Sequence, residues 1–411
     1  MIMKTILEKL KEILHEYREF DNVKIPLCAA ETYVSEFVLQ ALSTCLEGKY
    51  IMGNLDREPN EDFIGSDKLY PIYKLIREEC RTLFGATYAD ARPLTGMNTV
   101  MLLIAGIVKG SRKVLLTTPE QGGHSSVPLL LDLYGVNYES VPYDYDNFQI
   151  NYLRTNYLLS QGEYDHIIFC QSDLIAPPDF NELKIPPEVG LLYDGTQTLG
   201  LMIGKQVQNP LEFYHKSILF GGTHKTLPGP TCGLVMTNDK LLAVKSDSLI
   251  NPDYLRNIQI NNVTGLLLAL IEQEAYAETY QKSIVDTANM LGAMLENRGF
   301  GVARLSDGRY SRTHQIFILT DRETSERIYL NAMRFNVTLN KKHKALFRND
   351  GIRLGVQEIA RYGWGESELE LLSEVLYKLA YRYDDDDIAC KIRELSSKKT
   401  PRYILNDIFM N

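Results

Sequence analysis

The sequence lacks the cysteine spacing, the long apolar runs and the secretory signal that mark metal-binding, disulfide-rich, membrane or secreted proteins. Its 411 residues include a single tryptophan, Trp364, and six cysteines scattered without a CxxC spacing. We therefore expect neither a zinc site nor a disulfide framework, but small buried thiols in a reducing cytoplasm. No run approaches the roughly 20 apolar residues that span a bilayer. The amphipathic start MIMKTILEKLKEILHEYREF lacks the continuous apolar segment of a secretory signal.

Basic residues are also fewer than acidic ones. The 44 Lys and Arg are outnumbered by 53 Asp and Glu, which gives a net charge of -9 and no global support for a nucleic-acid partner. The 45% hydrophobic and 24% charged residues exclude a disordered chain. The length favours two or three structural units. The 25 tyrosines are an excess that composition does not explain.

The middle of the chain has the pattern of a mostly parallel β-sheet. Six short apolar runs follow one another, bounded by turn residues: KVLLTT, YESVPY, HIIFCQS, VGLLYDG, SILFGG and CGLVMTN. Such runs are typical of strands buried on both faces. Before them, the pattern predicts a helix at the N-terminus, a second amphipathic helix in EFVLQALSTCL, an irregular loop at 48–66 and a helix at 67–85.

The C-terminal part has a different pattern. A long helix from Val263 is followed by strand-like VARLSD, HQIFILT, VTLN and GIRLGV, and by the amphipathic helix ESELELLSEVLYKLAYRY. This combination predicts a smaller α+β domain. We therefore predict an N-terminal helical arm at 1–25, a large domain at 26–262, and a bridging helix with a small domain at 263–411.

Two candidate sites lie in small-residue turns, where open α/β sheets bind ligands. Thr95, Gly96 and Met97 open an apolar helix whose free N–H groups could hold a phosphate. His124 follows two glycines after a strand and could lie flat against an aromatic ligand. Either feature alone is weak, because ordinary turns look similar.

Two further candidates carry charge. Asp194 ends a buried strand, where a carboxylate needs a cation or a donor, and Gln197 follows three residues later. An N-capping aspartate is an equally good interpretation of this acid in isolation. Lys225 lies in the rigid Gly/Pro loop GGTHKTLPGP, where an enclosed amine can lose its proton and form a Schiff base.

Together these residues match a ligand with a phosphate, an aromatic ring, a ring nitrogen and an aldehyde, which is pyridoxal 5'-phosphate. Arg353, in a strand between two glycines, could bind the carboxylate of an amino acid bidentately. A surface strand arginine would be the default interpretation without the other motifs.

The sequence resembles the serine hydroxymethyltransferase family, within the fold type I group of pyridoxal-phosphate enzymes. The similarity is carried by LCAAETYVSEFVLQAL, LEGKYIMG, PLTGMNTV, EQGGHSS, YDGTQTLGL, GGTHKTLPGP and GIRLGVQEIARYGWGESE. It implies an α/β fold, with a large domain built on a mostly parallel seven-stranded sheet flanked by helices and a smaller C-terminal α+β domain. It also implies a homodimer with shared active sites, and leaves a tetramer open.

The resemblance implies a role for each matching residue. Lys225 would be the Schiff-base lysine, His124 would stack on the cofactor ring, and Asp194 would pair with the ring nitrogen. Further positions would line the cofactor or substrate: Thr95, Gly96, Met97, Ser172, Gln197, Thr223 and His224 for the cofactor, and Arg353, Tyr50 and Ala30 for the substrate.

The departures from the family pattern are selective. Ala30 replaces a serine that helps to hold substrate, and Met52 replaces a glutamate that handles protons in folate-dependent transfer. Methionine can neither donate nor accept such a proton. Gln197 replaces a histidine, and Met97 replaces a phosphate-loop serine. Groups for the cofactor survive while groups for folate are lost, so we expect an enzyme without folate dependence.

Three functions are open at this point. The first is aldol-type cleavage or formation of the Cα–Cβ bond of an amino acid, as in a threonine aldolase or transaldolase, in specialised biosynthesis. The second is racemisation, β-elimination, decarboxylation or transamination on the same fold. The third is a non-catalytic scaffold, against which the joint presence of Lys225, Asp194, His124 and Arg353 argues.

Overall fold

The computed structural model describes residues 2–51, 63–381 and 385–409. The helices are α1 (Ile2–Val23), α2 (Glu36–Leu39), α3 (Tyr70–Phe84), α4 (Gly96–Leu103), α5 (Ser126–Leu133), α6 (Tyr152–Ser160), α7 (Leu199–Ile203), α8 (Lys240–Ser248), α9 (Ile260–Asn297), α10 (Arg322–Arg334), α11 (Gln357–Arg361), α12 (Glu366–Tyr381) and α13 (Asp385–Ser396). The strands are β1 (Ile25–Pro26), β2 (Tyr88–Asp90), β3 (Lys113–Leu116), β4 (Asn137–Ser140), β5 (Tyr143–Asp144), β6 (Gln149–Ile150), β7 (His166–Phe169), β8 (Gly190–Asp194), β9 (Ser217–His224), β10 (Pro228–Thr237), β11 (Gly301–Val302), β12 (Gln315–Leu319), β13 (Val337–Thr338), β14 (Asn340–Lys344) and β15 (Asn349–Gly355).

The central sheet has seven strands in the order β2-β10-β9-β8-β7-β3-β4. The five strands β4, β3, β7, β8 and β9 are parallel, and β10 runs antiparallel to both of its neighbours. Hydrophobic cores cover both faces of the sheet. The expected mostly parallel seven-stranded sheet is confirmed, and each of the six apolar runs contributes a strand to it.

The C-terminal part contains a four-stranded antiparallel sheet in the order β11-β12-β15-β14. Strand β14 was not among the expected strands, because its sequence NKKHK has no apolar alternation. Near the N-terminus, β1 pairs in parallel with β13. The chain around Ile25 therefore packs against the C-terminal part.

Helix α9 joins the two parts, and its 38 residues confirm the predicted long helix. Its first half, from Ile260 to Ala277, packs in one core of the central sheet. Its second half, from Tyr280 to Leu295, packs in the core of the C-terminal sheet. The division at 1–25, 26–262 and 263–411 stays a prediction.

One expected helix is much shorter than its pattern suggested. The EFVLQALSTCL segment forms only α2, from Glu36 to Leu39, and then continues as turns. The side-chain amide of Gln40 donates to the carbonyls of Phe37 (2.8 Å) and Asp407 (3.1 Å). Gln40 thus satisfies a helix-end carbonyl and ties α2 to the C-terminal segment, where sequence periodicity alone favoured continuation.

Candidate active site

The parallel strands bring the predicted residues to one edge of the central sheet. Asp194 is the last residue of β8, Lys225 directly follows β9, and His124 follows β3 after a short 3-10 turn. The carboxyl ends of these strands meet at the same edge, which is where open α/β sheets bind ligands. The structure therefore gathers residues that are far apart in sequence.

The amine of Lys225 is chemically suited to act as a nucleophile. Burial lowers its pKa, the nearby guanidinium of Arg353 lowers it further, and the charge of Asp194 opposes both effects. A buried amine with a lowered pKa carries a larger share of the unprotonated form, which is the form that attacks a carbonyl. This environment matches the role predicted for the lysine.

Asp194 is held by neutral donors. One carboxylate oxygen accepts from the backbone N–H of Thr196 (2.8 Å) and from its hydroxyl, and the other lies 3.1 Å from the thiol sulfur of Cys170. Burial and the negative charge of Asp194 raise the pKa of Cys170, so the thiol keeps its proton. Among the described residues, no Lys or Arg forms an ion pair with Asp194. This carboxylate is therefore free to meet a cationic ring nitrogen.

His124 is fixed by the backbone around it. Its N–H donates to the carbonyl of Cys170 (2.7 Å), and its Nδ1 accepts from the N–H of Ser126 (3.3 Å). Burial lowers its pKa, the positive charge of Lys225 adds to this effect, and Asp194 opposes it. The ring is therefore neutral at neutral pH, with its proton on Nε2 in this arrangement.

Two glycines allow the loop to reach this position. Gly122 has a φ of +85°, and a Cβ atom there would lie 2.1 Å from the carbonyl oxygen of Asp173. A Cβ at Gly123 would lie 2.0 Å from the carbonyl oxygen of Thr117. Any side chain at either position would push the His124 loop away from the sheet edge.

The predicted phosphate turn lies against the end of β9. Thr95 caps α4, because its hydroxyl accepts from the N–H of Asn98 (3.0 Å). A Cβ at Gly96 would lie 2.7 Å from the backbone nitrogen of Gly222, so only glycine permits this approach. The first amides of α4, at Gly96 and Met97, thus lie close to the strand that leads to Lys225. This arrangement suits a phosphate at a helix N-terminus.

Gln197 and Ser172 are linked by a residue that the sequence analysis missed. The side-chain amide of Gln315 donates to the Oε1 atom of Gln197 (3.0 Å) and to the carbonyl of Ser172 (3.0 Å). Its own Oε1 accepts from the N–H of Leu174 (2.9 Å). All these contacts are buried or nearly so. Gln315, on β12, therefore joins the C-terminal sheet to the predicted cofactor residues.

Arg353 reaches the same place from β15. Its Nη1 donates to the carbonyl of Ser172 (2.8 Å) and to Asp173 (2.8 Å), while Nε and Nη2 donate to Asn340 (3.2 and 2.6 Å). The guanidinium is almost completely buried. A buried arginine held on two sides is preorganised to bind a carboxylate.

Asp173 is a second buried acid at this edge, and the sequence analysis missed it. Its carboxylate pairs with Arg353 (2.8 Å), Lys342 (2.9 Å) and Lys344 (2.8 Å), and its side chain is completely buried. Burial alone would raise its pKa, but the three cations outweigh burial and lower it. The sequence signal was the alternation in Asn340, Lys342 and Lys344, which places three polar residues on one face of a strand.

Two residues predicted to bind substrate, Ala30 and Tyr50, have their own surroundings. Ala30 is in a turn whose flanking carbonyls, of Cys28 and Glu31, accept from the side chain of Gln357 (2.8 and 2.5 Å). Tyr50 stacks on Phe63 with ring centroids 4.5 Å apart. Within the part of the chain that the structure describes, no hydrogen bond or ring contact links Tyr50 to Lys225. Met52 lies outside the described residues.

Thr223 and His224 shape the chain on either side of the lysine. The Thr223 hydroxyl is buried and donates to the carbonyl of Pro230 (2.6 Å), which closes the loop around Lys225. The Nδ1 atom of His224 is buried without a hydrogen-bond partner in the structure. A buried polar atom without a partner, next to a reactive amine, is an expected feature of a site that receives a ligand.

These features fit pyridoxal 5'-phosphate. The site offers a buried amine with a lowered pKa, a carboxylate bonded only to neutral donors, a helix N-terminus packed on glycine, and a neutral histidine. Among the described residues, no group of three or more His, Cys, Asp or Glu could hold a metal ion. No helix within 2–51, 63–381 and 385–409 is both long and apolar enough to cross a membrane.

Fold and site together define the class: this chain is a fold type I enzyme that depends on pyridoxal phosphate. The family follows from sequence comparison. Residues 3–376 match the family described as serine hydroxymethyltransferase, and the chain belongs to that family. The expectations for fold class, family, cofactor and enzymatic nature are thereby confirmed.

Individual relatives differ in activity. The chain is 27% identical to a fluorothreonine transaldolase of Streptantibioticus cattleyicolor over 97% of its own length, but spans only 64% of that protein. It is 26% identical to a serine hydroxymethyltransferase of Thermoplasma volcanium, covering 97% of this chain and 96% of the relative. The fold is similar to that of L-threonine transaldolase from Pseudomonas fluorescens, with a TM-score of 0.88 and 21% identity over 97% of this chain and 92% of the other.

Proposed function

We propose that this enzyme cleaves and forms the Cα–Cβ bond of a β-hydroxy amino acid without folate, as a threonine aldolase or transaldolase does. The observation that carries the proposal is that Lys225, Asp194 and His124 lie at one edge of the central sheet and that Arg353 reaches this edge from β15 through Ser172 and Asp173. Ala30 stands where the family has a substrate-binding serine. The similarity to a fluorothreonine transaldolase supports the same chemistry. Racemisation, elimination, decarboxylation and transamination remain the alternatives.

Each residue has a proposed task. Thr95, Gly96 and Met97 would hold the cofactor phosphate, Asp194 the ring nitrogen, and Gln197, Ser172, Thr223 and His224 would line the cofactor. When bound, pyridoxal phosphate supplies an electron sink for the bond that breaks at Cα. Arg353 would bind the substrate carboxylate and so orient the Cα–Cβ bond.

His124 is the proposed base for the β-hydroxyl group. Cleavage removes the hydroxyl proton, so that an aldehyde leaves with a new C=O bond and the electron pair of the Cα–Cβ bond stays at Cα. The ring of His124 is neutral and half-buried at the site, so its Nδ1 can accept the proton at neutral pH once it gives up the weak contact from the N–H of Ser126 (3.3 Å). Addition of a second aldehyde at Cα, with return of the proton, completes a transaldol reaction.

The test is product analysis. The holoenzyme is incubated with L-threonine alone, with L-threonine plus a second aldehyde, and with L-serine plus tetrahydrofolate, and the products are identified by mass. We expect glycine with acetaldehyde, or a new β-hydroxy amino acid, and no folate-dependent glycine from serine. Folate-dependent conversion of serine, or products of an intact Cα–Cβ bond only, would contradict the proposal.

We also propose a homodimer with shared active sites in the cytoplasm, with a tetramer as the alternative assembly. Between Ile6 and Tyr17, helix α1 carries six exposed apolar side chains on one face: Ile6, Leu7, Leu10, Ile13, Leu14 and Tyr17. An apolar face of this size needs a partner, and Tyr50 is 42% exposed, as expected for a residue that serves a neighbouring subunit. All six cysteines are free thiols, which suits a reducing compartment. Light scattering on the purified protein measures the assembly.

A further inference from the structure

Strand β14 presents two different faces. Lys342 and Lys344 point towards Asp173 and have side chains that are 19% and 18% exposed. Lys341 and His343 point the other way, and each pairs with its own acid, Glu326 and Asp350. Lysines on an edge strand usually prevent edge-to-edge association. That explanation suits the outward pair but not the inward pair, which lies beside the active site.

The register of the C-terminal sheet puts the inward lysines next to the arginine. Asn340 lies directly opposite Arg353, and Lys342 lies directly opposite Gly351. Directly opposite residues of an antiparallel pair share a face. Arg353 and both inward lysines therefore share one face of this sheet, and the positive charge of Lys344 contributes to the lowered pKa of His124.

The charges on this face do not balance. Three formal positive charges, on Arg353, Lys342 and Lys344, meet the single negative charge of Asp173. Glu120, whose carboxylate accepts from the N–H of Ala345 at 3.1 Å, is exposed at the far end of the strand. When Arg353 binds the α-carboxylate of a substrate, one positive charge in a poorly hydrated place is still unmatched. An unmatched buried charge is costly unless an opposite charge joins it.

We propose that Lys342 and Lys344, held by Asp173, form a second anion-binding subsite next to Arg353. It takes a carboxylate or phosphate group that a reactant carries in addition to the α-carboxylate. This inference rests on the proposed function, since Arg353 must hold the amino acid. The anionic group has two possible sources with the same chemistry, the side chain of the amino acid or the aldehyde partner.

The test compares neutral and anionic reactants. The holoenzyme is titrated with glycine, L-threonine, L-aspartate and O-phospho-L-serine while the spectrum of the bound cofactor is followed. In a second arm, propionaldehyde and glyoxylate compete as acceptors with L-threonine as donor, because acetaldehyde would only regenerate threonine. We expect an anionic reactant in one arm to have a half-saturation concentration at least about tenfold below its neutral counterpart, the worth of one charge-assisted hydrogen bond.

Variants assign this preference to the lysines. Lys342→Met and Lys344→Met should each abolish the preference and change the half-saturation concentration of glycine by much less than that of the anionic reactant, while Lys342→Arg should retain the preference because the charge remains. Lys341→Met, on the outward face of the same strand, is the matched control and should behave as wild type. A preference that survives both methionine variants, or no preference in the wild type, overturns the proposal. If the methionine variants weakened the binding of glycine and of the anionic reactant equally, the proposal would also be overturned, because the lysines would then act only through Arg353.

A separate measurement tests the anion subsite even if the proposed function is wrong. If no amino acid changed the cofactor spectrum, the aldol proposal would fall, and inorganic phosphate would then be the probe. The subsite predicts that phosphate raises the unfolding temperature of the wild-type holoenzyme and of Lys341→Met more than that of Lys342→Met. Equal stabilisation of all three proteins contradicts the subsite whatever the reaction is.

Discussion

Asp194 and Asp173 are carboxylates at the same edge of the central sheet, and their surroundings are opposite in kind. Asp194 accepts hydrogen bonds from Thr196 and from the thiol of Cys170, all of them neutral donors. Asp173 is surrounded by three cations. The charge of Asp194 and, more weakly, that of Asp173 both act to raise the pKa of Lys225.

The difference shows how one edge can hold two kinds of ligand group. A carboxylate with neutral donors still has its full negative charge to offer, so Asp194 suits a ring nitrogen that gains a proton. A carboxylate with excess cations anchors positive charge in a buried place, so the Asp173 side suits anions. We therefore expect the cofactor ring on the Asp194 side of the site and the substrate carboxylate on the Asp173 side.

The largest effect should come from removing the Lys225 amine, on which both acids act. Lys225→Ala should reduce turnover by about 10⁴-fold or more, about 5 kcal/mol in activation free energy, and should abolish the cofactor band that depends on a lysine linkage. Steady-state rates and an absorption spectrum measure both. Turnover within tenfold of wild type would show that neither acid acts on a reactive lysine.

The next largest effect should come from removing the negative charge of Asp173. Asp173→Asn should lower the free energy of unfolding by about 3–5 kcal/mol, because buried Arg353 and the two half-buried lysines lose their counter-charge. Urea unfolding of the holoenzyme measures this change. Lys341→Met, which touches only surface partners, is the control and should change stability by less than about 1 kcal/mol.

The pH dependence of this difference follows from the pKa of Asp173. Because the folded-state pKa lies below the ordinary value of 3.8, the stabilisation is complete above that value and is lost as pH falls through the lowered pKa. The stability gap between wild type and Asp173→Asn should therefore be constant near neutral pH and close below about pH 4. A gap that is unchanged in acid would mean that Asp173 acts by shape and not by charge.

A smaller effect is expected at the other acid. Asp194→Asn keeps the size and one acceptor but removes the charge, and should lower kcat by about 100-fold, about 2.7 kcal/mol. Protein stability should change little, since no ion pair is broken. If Asp194→Asn instead destabilised the fold as strongly as Asp173→Asn, the contrast between the two acids would disappear.

The smallest effect is predicted for Cys170→Ala. This change removes a weak donor to Asp194, and should lower kcat by less than tenfold, about 1 kcal/mol. Cys232 is a buried thiol that contacts backbone carbonyls and not Asp194. Cys232→Ala therefore leaves a cavity of the same size and is the matched control. Equal kinetic losses in both variants would assign the effect to packing.

Sequence reasoning reached one of these acids and not the other. Asp194 ends an apolar run and is followed by glycine, and Lys225 lies in a Gly/Pro loop, so local pattern was enough. Asp173 has no such context, and its partners Lys342 and Lys344 come from a strand without apolar residues. Their meeting depends on pairing across about 170 residues of chain, a separation that no local pattern encodes.

The same limit applies to smaller features. Periodicity predicted that α2 would continue, but Gln40 ends it by bonding to Phe37 and to Asp407 near the C-terminus. The role of Gln315 was also missed, because a glutamine at the start of an apolar strand gives no signal of its partners, Gln197 and Ser172. The sequence predicted best those residues whose role depends on their immediate neighbours in the chain.

The turn that carries Ala30 has a consequence for the order in which the protein is made. Its carbonyls are held by Gln357, 329 and 326 residues later in the chain. A chain emerging from the ribosome can complete the central sheet and present Lys225 well before this partner exists. The side of the site that would receive an amino acid therefore cannot be complete before Gln357 has been made. An incomplete polypeptide would have the means to capture a cofactor before it could process a substrate.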